Sequence, residues 1–559
     1  MTHDDEPIGE RAHEGGSRER LGRRALLRAG IGGAAAAMAG GGAIAAASAT
    51  ADAAELGPGT TGSRRAQARR IRTRAAELAF RRKPQRQTSN TDETAVPGFA
   101  AVHAKGLPHL PGGEVAPAAY EKLLRALDSG RPADFDAIPL GGTRKLVNPV
   151  AGLAFDLEGP DSHQPAVPAA PSFGSPETGA EATELYWMAL LRDIHFDTYG
   201  TDPGAAAAAG ELNTFADFRG PRVGGAVVPA VLFRDGFPGC SVGPYVSQFL
   251  LVDVPFGNLV ISQRQRVGAA ATDHLTAFPT WLVVQSGGPS GVAAAYDASP
   301  RHVRNGRDLA AFVERDFTYQ AFLQAALILL SRGTPTLPGD PYRARTSDAG
   351  FVTWGAADVL DAVAMAAERA LKAAWFQKWH VHRRLRPEEF GGRLHQHRVG
   401  AANYPLPAAA LGTQAVNQTF LATGTYLLPQ AYPEGCPAHP AYPSAHAAVA
   451  GACATMLKAH FDGSAQWTSP VASALDGLSL LPYAGADAGA MTVLGEIHKL
   501  ASNCATGCCH AGTHWRSDGR AGILLGEQVA LGLLEEQRRC RPEGGARTFP
   551  RFDGSPATV

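Results

Sequence analysis

From Asp358 to Lys378 an apolar residue returns every three or four positions, with Val359, Val363, Ala366, Ala370, Leu371, Ala374 and Trp375 on one recurring face. That period is helical, and it is the longest such pattern in the chain. Other segments carry the same signature. Glu181–Asp193 opens after Gly179 with a stripe of Leu185, Met188 and Leu191, and Tyr319–Leu330 is almost continuously apolar, as expected of a central helix. Ser444–Leu457, Met491–Asn503 and Ala521–Glu536 follow. Strand signals are few, the best being Val227–Leu232. The pattern predicts an all-α fold.

At 559 residues the chain has room for one large domain or two to three ordinary ones, and its hydrophobic content of 45% is ample for a core. Lysine plus arginine and aspartate plus glutamate balance at 52 each, so no basic excess points to nucleic acid or an anionic membrane. The first 53 residues read as a targeting segment. Arg23 and Arg24 precede a weakly apolar Ala/Gly stretch from Ile31 to Ala47, followed by small-residue cleavage options. This is the pattern of a twin-arginine export signal, which places the mature protein in the periplasm or outside the cell. The stretch is too poor in large apolar residues to span a membrane, and no other span is expected. A basic arm and Pro/Gly-rich connections fill residues 54–180, the main helical domain is expected over 181–540, and 541–559 form a C-terminal tail. The arm's helical spacing from Arg64 to Lys83 suits a surface helix or contact with a neighbouring subunit.

Seven cysteines leave at least one thiol unpaired by intrachain disulfides. The run Cys504–His510 lacks a second ligand pair for zinc and reads as small buried thiols on a helix. The histidine pairs His380/His382 and His395/His397 do not share a helix face, which argues against a metal there. GCSVG at Gly239–Gly243 matches a serine-hydrolase nucleophile elbow, but the chain lacks the alternating strand–helix units that such an elbow needs.

Three segments in the C-terminal half carry the chemistry: KWHVHRRLRP (Lys378–Pro387), HPAYPSAH (His439–His446) and HWRSD (His514–Asp518). A tetrahedral oxyanion needs cations and neutral donors from several directions. Lys378 and Arg386 supply charge, with Arg able to engage two oxygens at once. Ser444 supplies a hydroxyl, and the Ala445 N–H adds a donor at what should be a helix N-terminus, where the dipole also favours an anion. His446 and His514 are the candidates for proton transfer and for bonding the central atom. Asp518, four residues after His514, is placed to orient its imidazole.

In order and spacing these segments resemble the vanadium-dependent haloperoxidases, which share their site with the acid phosphatases of the phosphatidic-acid-phosphatase superfamily. The eight-residue step from Lys378 to Arg386, and His439 seven residues before His446, are similar to the algal and cyanobacterial bromoperoxidase branch. NTDE (Asn90–Glu93), KGLPH (Lys105–His109), ELYWMALLRD (Glu184–Asp193) and GPYVSQFLL (Gly243–Leu251) extend the resemblance from about Arg64 to about Gln537. It implies a helical domain built on two four-helix bundles, a homo-oligomer, and a vanadate cofactor. His514 would be the vanadium ligand, with Lys378, Arg386, Ser444, Ala445 and His446 around the oxyanion and His439 and Asp518 behind them. Hydrogen peroxide, a halide (bromide or iodide) and a small organic acceptor would be the substrates. Gln377, beside Lys378, could tune the choice of halide.

Two positions depart from the pattern. Ala445 replaces a Gly between Ser and His, which is mild if φ there is negative. Cys508, six residues before His514, stands where the family places a second anion-binding Arg. Arg516 cannot substitute, because on a helix two residues turn it about 200° away from His514. Arg383, Arg384 and Arg393 are the other arginines near enough in sequence to reach in. The alternatives are an exported acid phosphatase using the same cage, with His514 as phosphoryl acceptor, or a homologue impaired by Cys508.

Overall fold

A computed structural model describes residues 59–559; the targeting segment expected over residues 1–53 lies outside them. The helices that build and brace the site are α1 (Thr61–Arg81), α2 (Pro117–Ser129), α3 (Pro176–Leu190), α4 (Gly306–Arg315), α5 (Gln320–Ser331), α6 (Ala356–Phe376), α7 (Pro387–Arg398), α8 (Ala445–Lys458), α9 (Val493–His510) and α10 (Arg516–Cys540). Among the described residues, sheet structure is confined to three two-stranded antiparallel hairpins. These are β1 (Val254–Phe256) with β2 (Leu259–Ile261), β3 (Val471–Ser473) with β4 (Leu480–Pro482), and β5 (Thr548–Pro550) with β6 (Pro556–Thr558). The protein is all-α, as the helical periodicity predicts.

Helix α8 runs through the centre, packed against α6, α9 and α10, with α5 against α6 and α8. Every residue of α8 except His446 is buried. The alanine-rich sequence explains how so many helices crowd around it. A Cβ at Gly526 of α10 would run into the Ala448 carbonyl, and one at Gly451 of α8 into the Ile523 carbonyl. The two backbones touch there, and a larger residue would force the helices apart.

Several elements differ from expectation. Helix α3 starts at Pro176, ahead of Gly179, because Ser175 caps it by accepting from the Thr178 N–H and Pro176 suits the first turn. Val227–Leu232 forms no strand; Pro229 offers no N–H to a ladder, and Pro229–Val231 is a 3₁₀ turn. Gly239–Gly243 lies in a turn whose carbonyls at Cys240 and Gly243 accept from Arg234, so it is not an elbow between a strand and a helix. The C-terminal segment docks through β5–β6, burying Phe549, Phe552 and Val559. All seven cysteines are free thiols, and only Cys540 is exposed.

Candidate oxyanion site

The α6 pattern carries Lys378 beyond the end of the α-helix. Helix α6 stops at Phe376, and Gln377–His382 continue as a π turn closed by Arg383 N–H donating to the Lys378 carbonyl at 3.0 Å. Arg383 then takes a left-handed φ of 43°. That conformation is costly for arginine, and Glu93 holds it through paired bonds of 2.7 and 2.6 Å. The reversal aims Arg386, the N-cap of α7, at the start of α10. Glu389 fixes that turn, accepting from the Arg386 N–H at 2.7 Å and lying 3.1 Å from His103 Nδ1. Lys105 is paired with Glu388 at 2.8 Å, both fully buried. The NTDE and KGLPH segments thus brace the arginine-bearing loop from beneath.

Asp518 ties the three motifs together. Its Oδ2 lies 2.8 Å from His514 Nδ1, its Oδ1 accepts from Arg384 at 2.8 Å, and its backbone carbonyl accepts from the Ser444 N–H at 2.9 Å. His514 lies just ahead of α10 rather than on it, so the i,i+4 pair spans the helix entry, where Trp515 is the N-cap. Burial, then Arg386 and Lys378, hold the His514 pKa well below the ordinary imidazole value. A neutral ring whose Nδ1–H is donated to Asp518 leaves its lone pair on Nε2, the form required to bond a central atom. In this structure Arg386 Nη1 lies 2.9 Å from that Nε2.

Arg386 is fully buried, and its other bonds go to the carbonyls of His439 and Thr513 and to His439 Nδ1 at 2.9 Å. Lys378, also fully buried, donates to the Pro440 and Ala441 carbonyls at 2.6 and 2.8 Å. A buried ammonium must find acceptors, and these carbonyls take two of its three protons. Among the described residues no carboxylate pairs with either cation. Burial, then Arg386, push the Lys378 pKa well down. Two buried cations without a counter-ion are expensive, and an anion in the adjoining cavity would offset that cost.

The cavity has a volume of about 420 Å³, and its walls include Arg386, His439, Ala445, His446, Cys508 and His514. Lys378, Ser444 and Asp518 stand behind this wall rather than in it. Ser444 caps α8, accepting from the Ala447 N–H at 3.4 Å, while Ala445, at the first position of the helix where the N–H has no intrahelical acceptor, lines the cavity. His439 does more than pack in its loop: it accepts from Arg386, and burial with Arg386 beside it keeps its pKa well below normal.

His446 has a partner that the sequence does not announce. Its Nε2 lies 2.9 Å from Asp316 Oδ1, at the end of α4. Burial disfavours its protonation, but the Cys508 sulfur and Asp316 outweigh that, and its pKa is raised well above the ordinary value. Cys508 does lie in the cavity wall, and no arginine from the Lys378 segment replaces the missing one. Arg383 is bound to Glu93, Arg384 to Asp518 and Glu181, and Arg393 to the carbonyls of Ala100 and Gly113. Arg516 is paired with Glu184. The second arginine in the wall, Arg144, comes from the loop before α3, half-buried and 3.5 Å from the Cys436 carbonyl. Neither Asp316 nor Arg144 carries a spacing signal in the sequence. No group of three or more His, Cys, Asp or Glu side chains suited to a metal cation occurs among the described residues.

Known proteins resemble the chain in sequence and in fold. Residues 359–541 match the family model of the VCPO second helical-bundle domain. The vanadium-dependent bromoperoxidase of Corallina pilulifera is 34% identical over 87% of this chain and 96% of its own length. That of Ascophyllum nodosum is 35% identical over 82% and 86%. The solved homohexameric second vanadate-dependent bromoperoxidase of Ascophyllum nodosum superposes with a TM-score of 0.86 at 31% identity, covering 90% of this chain and 92% of that one.

Proposed function

The chain belongs to the vanadium-dependent haloperoxidase family, and we propose that it uses hydrogen peroxide to oxidise bromide or iodide, releasing hypohalous acid to an organic acceptor. One observation carries the assignment of the site: Lys378 and Arg386 are buried with no carboxylate partner among the described residues, and Arg386 lies 2.9 Å from Nε2 of a neutral His514 in the cavity wall. That donor set fits vanadate. His514 would hold the central atom, Arg386 and the third proton of Lys378 would meet its oxygens, and the Ala445 N–H and Ser444 hydroxyl would add neutral donors.

Bound vanadate supplies a Lewis-acidic centre that activates peroxide without a change in its own oxidation state. The protein's part is electrostatic and positional. Asp518 fixes the tautomer of His514. Arg386 gives up its contact with His514 Nε2 and turns its N–H groups toward the anion. His446, protonated and held by Asp316, donates a proton where peroxide oxygen leaves and recovers it from the next peroxide. Bromide as substrate is supported by the relatives being bromoperoxidases.

The test is a vanadate titration of the metal-free protein, reading bromination of a phenolic acceptor with peroxide and bromide, with hydrolysis of a phosphate monoester in parallel. Vanadate-dependent bromination supports the reading. Phosphate release without bromination would assign the cage to an acid phosphatase.

Two further readings concern the whole protein. Export by the twin-arginine route is supported by Arg23 and Arg24 ahead of the Ala/Gly stretch, and replacing both by Lys should retain the precursor in the cytoplasm. Normal export of that variant would end the reading. Self-association is supported by the hexameric relative and by α1, none of whose residues is buried. Phe80 on α1 and Phe155 and Leu157 beside it stand exposed around a broad cleft. Light scattering on the native protein should give a multiple of the chain mass, and a monomer at micromolar concentration would contradict this.

A further inference from the structure

Cys508 is the one cysteine among the described residues in the cavity wall. Its own helix satisfies it only weakly, through a 3.5 Å contact from the thiol to the Cys504 carbonyl. The same cavity wall holds Asp316 and His446, the single residue of α8 that is not buried, and His446 is held by Asp316 at 2.9 Å. The Asp316 side chain is itself only 6% exposed, so the carboxylate is fixed in place. A thiol, an imidazole beside it and a carboxylate orienting that imidazole are the three parts of an activated sulfur nucleophile. The other five buried cysteines, Cys240, Cys436, Cys453, Cys504 and Cys509, lie outside this cavity wall, and burial raises the pKa of each.

We propose that Cys508, His446 and Asp316 form a thiol centre that reacts with hydrogen peroxide, distinct from halide oxidation in the same cavity. The arrival of peroxide there rests on the haloperoxidase reading; the geometry of the thiol does not. The proton of the Cys508–His446 pair resides on His446, and the sulfur attacks one peroxide oxygen. The O–O bond breaks, an S–O bond forms, and the departing hydroxide takes the proton from His446. One thiol and one peroxide thus give one sulfenic acid and one water. Two equivalents of a small thiol return the sulfenic acid to thiol, with release of one disulfide and one water. The position occupied by an anion-binding arginine in the family therefore becomes a second peroxide-consuming group here.

The experiment uses the native chain freed of vanadate, treated with stoichiometric peroxide in the presence of dimedone, with adducts mapped by mass spectrometry. Exposed Cys540 is the internal reference. Cys508 should be labelled at least about tenfold faster than Cys540, and His446→Gln and Asp316→Asn should each slow Cys508 about tenfold while leaving Cys540 unchanged. Labelling of Cys508 no faster than Cys540 in the native protein would overturn the proposal, as would unslowed labelling in both variants. Absence of bromide oxidation with rapid labelling of Cys508 would instead overturn the haloperoxidase reading and leave the thiol centre standing.

Discussion

Arg386 Nη1 sits 2.9 Å from His514 Nε2, on the lone pair that the cofactor's central atom requires. The contact keeps a buried cation and a neutral imidazole mutually satisfied. Anion binding must therefore exchange one hydrogen bond for several charge-assisted ones rather than create a site from nothing.

Asp518→Asn should weaken vanadate binding by about 10- to 100-fold, because the amide no longer holds the Nδ1–H tautomer of His514. The same change takes a carboxylate from buried Arg384, which retains Glu181 at 3.2 Å and the Ser517 hydroxyl at 2.8 Å. Losing one partner of a buried pair costs about 3–5 kcal/mol. Vanadate affinity and chemical denaturation of the variant check both effects; unchanged affinity would show that the tautomer is set elsewhere.

Cys508→Arg should raise vanadate affinity by about tenfold to more than a hundredfold. Each charge-assisted hydrogen bond contributes about 1.5–3 kcal/mol, and about 1.4 kcal/mol is a factor of ten. No other arginine of the Lys378 segment faces the cavity, so the native protein is expected to bind vanadate weakly. Vanadate titrations of bromination in the two forms decide this. Saturation of the native protein at micromolar vanadate, with no gain in the variant, would contradict it.

Stability should fall as the medium is acidified below about pH 6.5. Burial depresses the pKa of His498 and His510 to about 3 and that of His460 to about 4, against an ordinary 6.5. Above 6.5 neither state binds these protons. Between 6.5 and 3–4 the unfolded chain takes them up and the folded chain does not, so the stabilisation is present above 6.5 and is lost progressively toward the folded values. Thermal melting between pH 8 and 4 tests this, and a melting temperature that is flat from 6.5 to 4 would refute it.

The helices were legible because their apolar residues recur at the helical period, and α5, α6 and α8–α10 form where that recurrence lies. The π turn at Lys378 was not, since it depends on Arg383 being held in a left-handed conformation by Glu93, a contact between residues 290 positions apart. Pro229 defeated the strand expected at Val227–Leu232 by removing a ladder donor. The site was legible through the spacing of its three motifs. Asp316 was not, because a lone aspartate 130 residues from His446 leaves no local mark. Arg384 read as a possible substitute for the missing arginine, but only the fold reveals that Glu181 and Asp518 already occupy it.

The most direct test of the account is vanadate binding by equilibrium dialysis to the native protein and to His514→Ala, with bromide-dependent peroxide consumption measured on the same samples. The account predicts saturable binding and activity in the native protein. In the variant, activity should be lost at every vanadate concentration, with unchanged helicity. Retained bromide oxidation by His514→Ala would contradict it.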